Sequence, residues 1–271
     1  MTSIVALWRY PLKSARGERL QSVVVDREGL RSDRAWACID LEDGTVGSAK
    51  HPRRWGRLLE VAAQAEGEGG AAAVAVAGRE AMAGSAKADA VLSQHLARPV
   101  RLTQVVPEQA MLHRQLPDHQ ALVPEWMSEA IPGQEMITAV SGARPGGRFV
   151  DFGAVHLLTT GALDLLARQL GRPVVDASRF RPNIVLDAPR DPEPGQELRV
   201  GDVVLRVVLP TPRCVVPGLT PGPEAPVDQQ LLSALARHHR TLVADLGTAA
   251  CFGVYAEVLQ PGRVAVDDAF L

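Results

Sequence analysis

The chain has 271 residues, 46% of them hydrophobic and 22% charged, with a formal net charge of −2. That length and balance supply a packed core for one large domain or two smaller ones, and they exclude a wholly disordered chain and a strongly basic nucleic-acid binder. No apolar run approaches the roughly 20 residues that span a bilayer. The opening MTSIVALWRYPLKSARGE also lacks the pattern of a secretory signal. The expectation is a cytoplasmic protein with neither a membrane nor a nucleic acid as partner.

In chain order, the first hundred residues read as short strands. Ile4–Tyr10, Leu20–Asp26 and Arg34–Leu41 are apolar runs, the last closed by the hairpin-like turn Glu42-Asp43-Gly44-Thr45. Leu58–Ala63 and Ala71–Ala77 follow, separated by the polar turn AEGEGG. Ala88, Val91 and Leu92 share one face at helical spacing and predict a helix over Ala88–Ala97. Many short strands with one short helix indicate a small barrel or sandwich.

Residues 107–147 carry scattered Pro, Gly and His without a sustained period and read as a linker or irregular excursion. His113 and His119 lie there at a spacing that suits no helical metal site, and they read as solvated. Gly142, Gly146 and Gly147 have no Gly-Lys-Ser/Thr after them, so a nucleotide P-loop is unsupported. Val155–Leu158 then predicts a strand. The following helix is capped by Thr159, carries Leu163, Leu166 and Leu170 on one face, and ends at Gly171. Further strands are predicted at Asn183–Asp187, Val203–Leu209 and Gly253–Leu259. A helix over Gln229–His239, with Asp228 as N-cap, places His238 and His239 where a cation suits the helix dipole.

Three polar clusters could carry chemistry. Lys13, Ser14 and Arg16 follow the first strand and read either as an anion site or as a solvated turn. Arg181 and Asn183 flank Pro182, which stiffens them at a strand entrance. Arg offers a planar fork for phosphate and Asn a donor–acceptor pair, against the alternative of a structural arginine. Cys214 follows Pro210 and Pro212, which are expected to stop the strand and leave the thiol in a loop beside Arg213, where its thiolate is favoured. Cys38 and Cys251 lie in strand patterns. Three cysteines are too few for a disulfide framework, a Cys-rich zinc site or a four-cysteine iron–sulfur cluster. Of the 29 Lys and Arg only Lys13, Lys50 and Lys87 are lysine, which limits a Schiff-base mechanism to three candidates.

The stretches YPLKSARGE, EGLRSDRAW, HLLTTGAL, RFRPNIVLD, LRVGDVVLRVVLPTPRC and FGVYAEVLQPG, in that order, resemble the pattern of MOSC-domain proteins. These are relatives of the amidoxime-reducing components and of the C-terminal domain of molybdenum cofactor sulfurase. The resemblance implies a β-rich α+β fold. An N-terminal β-barrel-like domain (1–106) and an irregular linker (107–147) precede a MOSC β-barrel-like domain with flanking helices (148–271).

The same resemblance implies a molybdenum cofactor, a molybdopterin with its metal, with Cys214 as the catalytic metal ligand. The cofactor contacts it implies are Lys13, Ser14, Arg34, Thr159, Thr160, Arg181, Asn183, Pro212, Arg213 and Tyr255. Pro212 stands where amidoxime reducers carry a serine, which removes a hydroxyl and a backbone donor. The implied function is reduction of N-hydroxylated or related N-oxygenated small molecules. No iron–sulfur relay, flavin or nicotinamide fingerprint is visible, so the electrons are expected from an external donor, a ferredoxin or a flavoprotein reductase. The alternative is a non-catalytic cofactor or sulfur carrier using Cys214. A plain thiol enzyme has no histidine next to Cys214 in sequence to support it.

Overall fold

A computed structural model describes residues 2–67, 69–118, 120–221 and 226–271. The first half runs β1 (Ile4–Arg9), β2 (Glu18–Leu20), β3 (Ser22–Asp26), β4 (Gly29–Leu30), β5 (Ala37–Asp40), α1 (Pro52–Trp55), β6 (Ala62–Glu66), β7 (Ala71–Val76), β8 (Arg79–Met82), α2 (Ala86–Leu96) and β9 (Val100–Thr103). A hairpin of β10 (Met111–Gln115) and β11 (Glu135–Ala139) follows. The second half runs β12 (Val155–Thr159), α3 (Thr160–Gln169), β13 (Ile184–Leu186), β14 (Glu197–Val200), β15 (Val203–Pro212), α4 (Gln229–His238), β16 (Arg240–Leu242), β17 (Thr248–Gln260) and β18 (Gly262–Ala265). The fold is β-rich α+β. Among the described residues no helix is long and apolar enough to cross a membrane.

The main sheet has the order β14-β15-β17-β12-β13-β1-β2, with β16 also paired to β17. Its first strand in sequence therefore lies against β13, Leu7 opposite Ile184. β18, near the C-terminus, pairs antiparallel with β3. One hydrophobic core accordingly joins Ile4, Leu7, Val23 and Val25 to Val155, Leu157, Leu205 and Val254, across the boundary expected near residue 106. A second core, made by residues between Leu12 and Leu102 around Trp55, Leu58 and Leu92, holds β6–β9 and α2 together. The two halves are thus interlocked through one sheet and one core.

Local chemistry explains the elements that position the site. β12 is buried at every residue because β13 and β17 flank it and α3 covers it, hence its continuous apolar run. α3 begins where the Thr159 hydroxyl accepts the Ala162 N–H, and Gly171 closes it in the left-handed region. α2 is capped by Ser85, and α4 by Asp228 as expected.

Several expectations are corrected. Leu20–Asp26 divides at Gln21, because β2 pairs with β1 whereas β3 pairs with β4 and β18. The stretch 107–147 contains the β10–β11 hairpin, paired from Met111–Ala139 to Gln115–Glu135. β11 is exposed on alternate residues and β10 buries only Leu112, so the hairpin carries little apolar signal. Gly56–Glu60 forms a 3₁₀ turn, so the strand predicted from Leu58 begins at Ala62. The AEGEGG turn includes Glu68, and His119 belonged to the histidine pair; both lie outside the described residues.

His113 is paired with Asp43, Nε2 to Oδ2 2.9 Å, rather than solvated. His239 hydrogen-bonds Gln169 at 2.7 Å, and burial pushes its pKa down, which opposes a cation at the end of α4. Pro210 and Pro212 do not stop β15, which pairs with β17 as far as Pro212 opposite Cys251. β14 flanks only Val203–Arg206, so beyond it β15 is an edge where a missing N–H costs little, and register shifts absorb the prolines.

Candidate functional site

A cleft of about 280 Å³ lies where the turn after β1, the bend before β5, the 3₁₀ turn before β13 and the ends of β15 and β17 meet. Three of its residues have left-handed backbones: Ser14 (φ 63°), Arg34 (φ 49°) and Arg181 (φ 56°). Such conformations cost about 1–3 kcal/mol in non-glycine residues and persist only when the surroundings hold them. They are held here. The Arg34 N–H donates to the Tyr10 carbonyl at 2.8 Å and the Arg181 N–H to the Ser178 carbonyl at 3.1 Å. The strand expected from Arg34 therefore starts only at Ala37, after a bend that turns the Arg34 guanidinium inward.

Tyr10 is the platform beneath these cations. Arg34 and Arg181 lie over its ring with Cζ at 4.6 and 4.3 Å from the centroid. Arg34 pairs with the buried Asp33 carboxylate, which also accepts the Tyr10 N–H at 2.8 Å. Arg34 further donates to Asn183 Oδ1 and to the Arg181 carbonyl, each at 3.2 Å. Burial and the neighbouring Arg34 lower Arg181 to about 10, so it remains a cation at neutral pH.

Lys13 is 3% exposed, with Nζ 2.6 Å from Asp151 Oδ1 and 3.0 Å from the Phe149 carbonyl. The solvated-turn alternative for this cluster is thereby excluded. Lys50 reaches the same Asp151 oxygen at 2.9 Å. Burial opposes the Asp151 charge, but the two ammonium groups outweigh it and hold the carboxyl well below its usual range. Burial pushes Lys13 down to about 8 despite Asp151. The Ser14 hydroxyl accepts the Ala49 N–H at 3.0 Å, tying this turn to the turn that carries Lys50.

Cys214 lies in the turn between β15 and the 3₁₀ turn Val216–Gly218, one residue after the Arg213 N–H bonds the Ala250 carbonyl at 2.8 Å. Its thiol is partly exposed in the cleft, whereas Cys38 and Cys251 are buried and burial lifts both thiols to about 12. Arg213 donates to the Phe180 carbonyl at 3.0 Å and leaves its buried Nε without a partner. Arg114 Nε, in the same cleft, is likewise buried and unpartnered.

An aromatic wall completes the cleft: the Phe152 and Tyr255 rings stack at 5.8 Å, and Tyr255 meets His156 at 5.6 Å. Burial lifts the Tyr255 hydroxyl to about 12 and depresses His156 to about 3. The two His156 nitrogens face the Arg181 and Phe252 carbonyls, each at 3.4 Å. Gly253 makes this packing possible. It sits at φ +76°, and a Cβ there would lie 2.4 Å from His156 Nε2.

Of the residues anticipated from sequence, Lys13, Ser14, Arg34, Arg181, Pro212, Arg213, Cys214 and Tyr255 line this one cleft. Asn183 stands behind it, 1% exposed, accepting from Arg34 and the His156 N–H and donating to the Trp8 carbonyl. Thr159 and Thr160 are not among the lining residues. Their hydroxyls donate to Asp191 at 2.8 Å and Asp187 at 3.1 Å. Asp151, Lys50, Arg114, His156, Phe152 and Trp126 line the cleft unannounced by the sequence. Only Asp151, a lone acid between two aromatic residues in GGRFVDFG, gave a signal that could have found it.

The profile of the MOSC N-terminal beta barrel domain matches residues 1–110, and that of the MOSC domain matches residues 147–270. The chain is 23% identical to the human mitochondrial amidoxime-reducing component 1 over 98% of its own length and 81% of that protein. Among solved structures it is similar to the YUAD protein from Bacillus subtilis, with a TM-score of 0.46, 13% identity, and 100% and 94% of the two chains covered. It is also similar to YiiM from Geobacillus stearothermophilus, with a TM-score of 0.33, 16% identity, and 50% and 66% covered. With the two profiles together spanning most of its length, the chain belongs to the MOSC family, carrying the N-terminal beta barrel domain ahead of the MOSC domain.

Proposed function

We propose that the cleft holds a molybdenum cofactor with the Cys214 thiolate as metal ligand. The protein is then an oxidoreductase that removes oxygen from N-hydroxylated or related N-oxygenated small molecules, using electrons from an external donor. The observation that carries this reading is the donor set of a single cleft. One partly exposed thiol on an anchored turn shares it with Lys13, Arg34, Lys50, Arg114, Arg181 and Arg213, against one lining acid, Asp151. A phosphorylated pterin dithiolene is an anion with soft sulfur donors, and such a metal accepts thiolate. The buried, unpartnered Nε atoms of Arg114 and Arg213 are donors suited to such an anion. Membership of the MOSC family, and a relative named as an amidoxime-reducing component, support the same reading.

When bound, the cofactor supplies the oxygen-transfer and two-electron chemistry. The chain's own residues bind and orient. Lys13, Ser14, Arg34 and Arg181 hold the phosphate end, with Asp33 and Tyr10 fixing the arginines and Asp151 fixing Lys13. Tyr255 keeps its proton at neutral pH and offers a neutral hydroxyl beside the aromatic wall. Pro124, Trp126, Phe152 and Leu246 give the cleft an apolar side, which suits a substrate whose polar N–O group points toward Cys214. Burial and the Arg213 charge keep His156 neutral although its nitrogens face two carbonyls, so a thiolate–imidazolium pair with Cys214 is disfavoured.

The test is metal analysis of protein made in a host that synthesises molybdopterin. It is followed by oxidation of reduced viologen in the presence of hydroxylamine, amidoxime and N-oxide compounds. Molybdenum retention and substrate-dependent dye oxidation, both lost in Cys214→Ala, are expected. Loaded protein that ignores every substrate yet passes cofactor or sulfur to an acceptor would replace the reductase by a carrier.

A further inference from the structure

A second chamber, of about 200 Å³, adjoins the cleft and shares Arg181 and Val216 with it. Three arginines line it, Arg16, Arg179 and Arg181, and no carboxylate does. Arg179 is committed to the fold, donating to the Pro217, Leu219 and Pro226 carbonyls at 3.3, 3.0 and 2.8 Å. The other two have fewer partners. Arg181 gives one nitrogen to the Ala15 carbonyl at 2.5 Å and has no acid partner among the described residues. The Arg16 side chain has no ion pair there either, and its Nε is buried without a hydrogen bond. Tyr10 is 2% exposed, and its hydroxyl is also buried and unpartnered. Asp176, the acid nearest in sequence to the Ser178 wall, is engaged by the Ser178 hydroxyl and N–H at 2.6 and 2.8 Å.

Native proteins rarely leave buried donors unmatched, because an unsatisfied donor keeps the full penalty of its desolvation. Two of the residues lining this acid-free chamber carry an unmatched arginine Nε and an unmatched phenol O–H, and a third adds a guanidinium, a set that calls for an acceptor with several oxygens and negative charge. The volume suits a tetrahedral oxyanion. We propose that this chamber is an anion site for a phosphate-class group, bound by Arg16, Arg181 and the Tyr10 hydroxyl. Arg16 and Tyr10 line this chamber and not the cleft, whereas Arg181 is the residue that the proposed cofactor's phosphate end would also meet. Because Arg181 belongs to both spaces, the group is either free phosphate or the outer phosphoryl of a ligand that reaches past Arg181.

Calorimetric titration of inorganic phosphate and of pyrophosphate into the purified protein in chloride buffer tests this. Arg16→Gln removes the charge, and Tyr10→Phe keeps the ring that carries the arginines while removing only the hydroxyl. Lys50→Ala, in the cleft alone, is the control. Phosphate binding that weakens about ten-fold or more in Arg16→Gln, by less in Tyr10→Phe and not in Lys50→Ala supports a site for the free ion. Pyrophosphate binding without phosphate binding, weakened by both Arg16→Gln and Lys50→Ala, assigns the chamber to the outer phosphoryl of a cleft ligand. Binding indifferent to Arg16→Gln, or no heat with either anion at millimolar concentration, overturns the proposal.

Discussion

Arg34 Nη2 donates to the main-chain carbonyl of Arg181 at 3.2 Å, joining two motifs that are 147 positions apart. This bond and the shared Tyr10 platform make one cationic surface from two remote stretches. Truncating Arg34 would strip the buried Asp33 carboxylate of its partner. Arg34→Ala should cost about 3 kcal/mol in urea unfolding, within the range for breaking a buried pair. The double change Asp33→Asn with Arg34→Ala should recover part of that loss. Equal and additive costs for the two single changes would show that the pair is not coupled.

Thiol accessibility separates the three cysteines without any cofactor. Cys38 and Cys251 are 1% and 5% exposed, and burial lifts each to about 12. Iodoacetamide at pH 8 should alkylate Cys214 on the order of a hundred-fold faster than either, because the thiolate is the reacting species. Peptide mapping after partial labelling reads the order directly.

Acid stability should carry a His156 signature. Its folded pKa is about 3 against 6.5 for the free side chain, so between these values the unfolded chain binds more protons than the folded one. Stability contributed by neutral His156 is present above about pH 6.5 and is lost as pH falls toward 3. His156→Gln should flatten the fall in urea midpoint across that window. An unchanged slope would mean that other groups dominate it.

Gly253→Ala should destabilise by about 3 kcal/mol. A left-handed alanine costs about 1 kcal/mol, and a Cβ 2.4 Å from His156 Nε2 and 2.6 Å from the Leu157 carbonyl forces strand β17 or the imidazole to move. Denaturant unfolding gives the cost, and a displaced Tyr255 fluorescence signal would report the moved wall.

Asp151→Asn would remove the negative charge facing Lys13 and Lys50 and leave the buried Lys13 ammonium with neutral acceptors only. The expected loss is about 2 kcal/mol, less than for a fully buried pair because the Asp151 side chain is 38% exposed. Lys13→Met in the same background should restore stability, since it removes the unpaired charge and keeps the stem.

Sequence by itself determined the family, the β-rich α+β class, the caps of α3 and α4, and eight of the residues that share the cleft. Periodicity, capping and motif order are local properties, and local properties are written in the chain. Tertiary structure alone decided what depends on distant partners. It put β1 against β13 and β3 against β18, so that one core crosses both halves. It held Ser14, Arg34 and Arg181 in left-handed backbones that residue preferences disfavour. It turned Thr159 and Thr160 to Asp191 and Asp187, and gave Lys13 the partners Asp151 and Phe149. The physical reason is that burial and charge pairing are set by what packs from elsewhere in the chain, so a lysine in a turn reads as solvated until the carboxylate that neutralises it is in place.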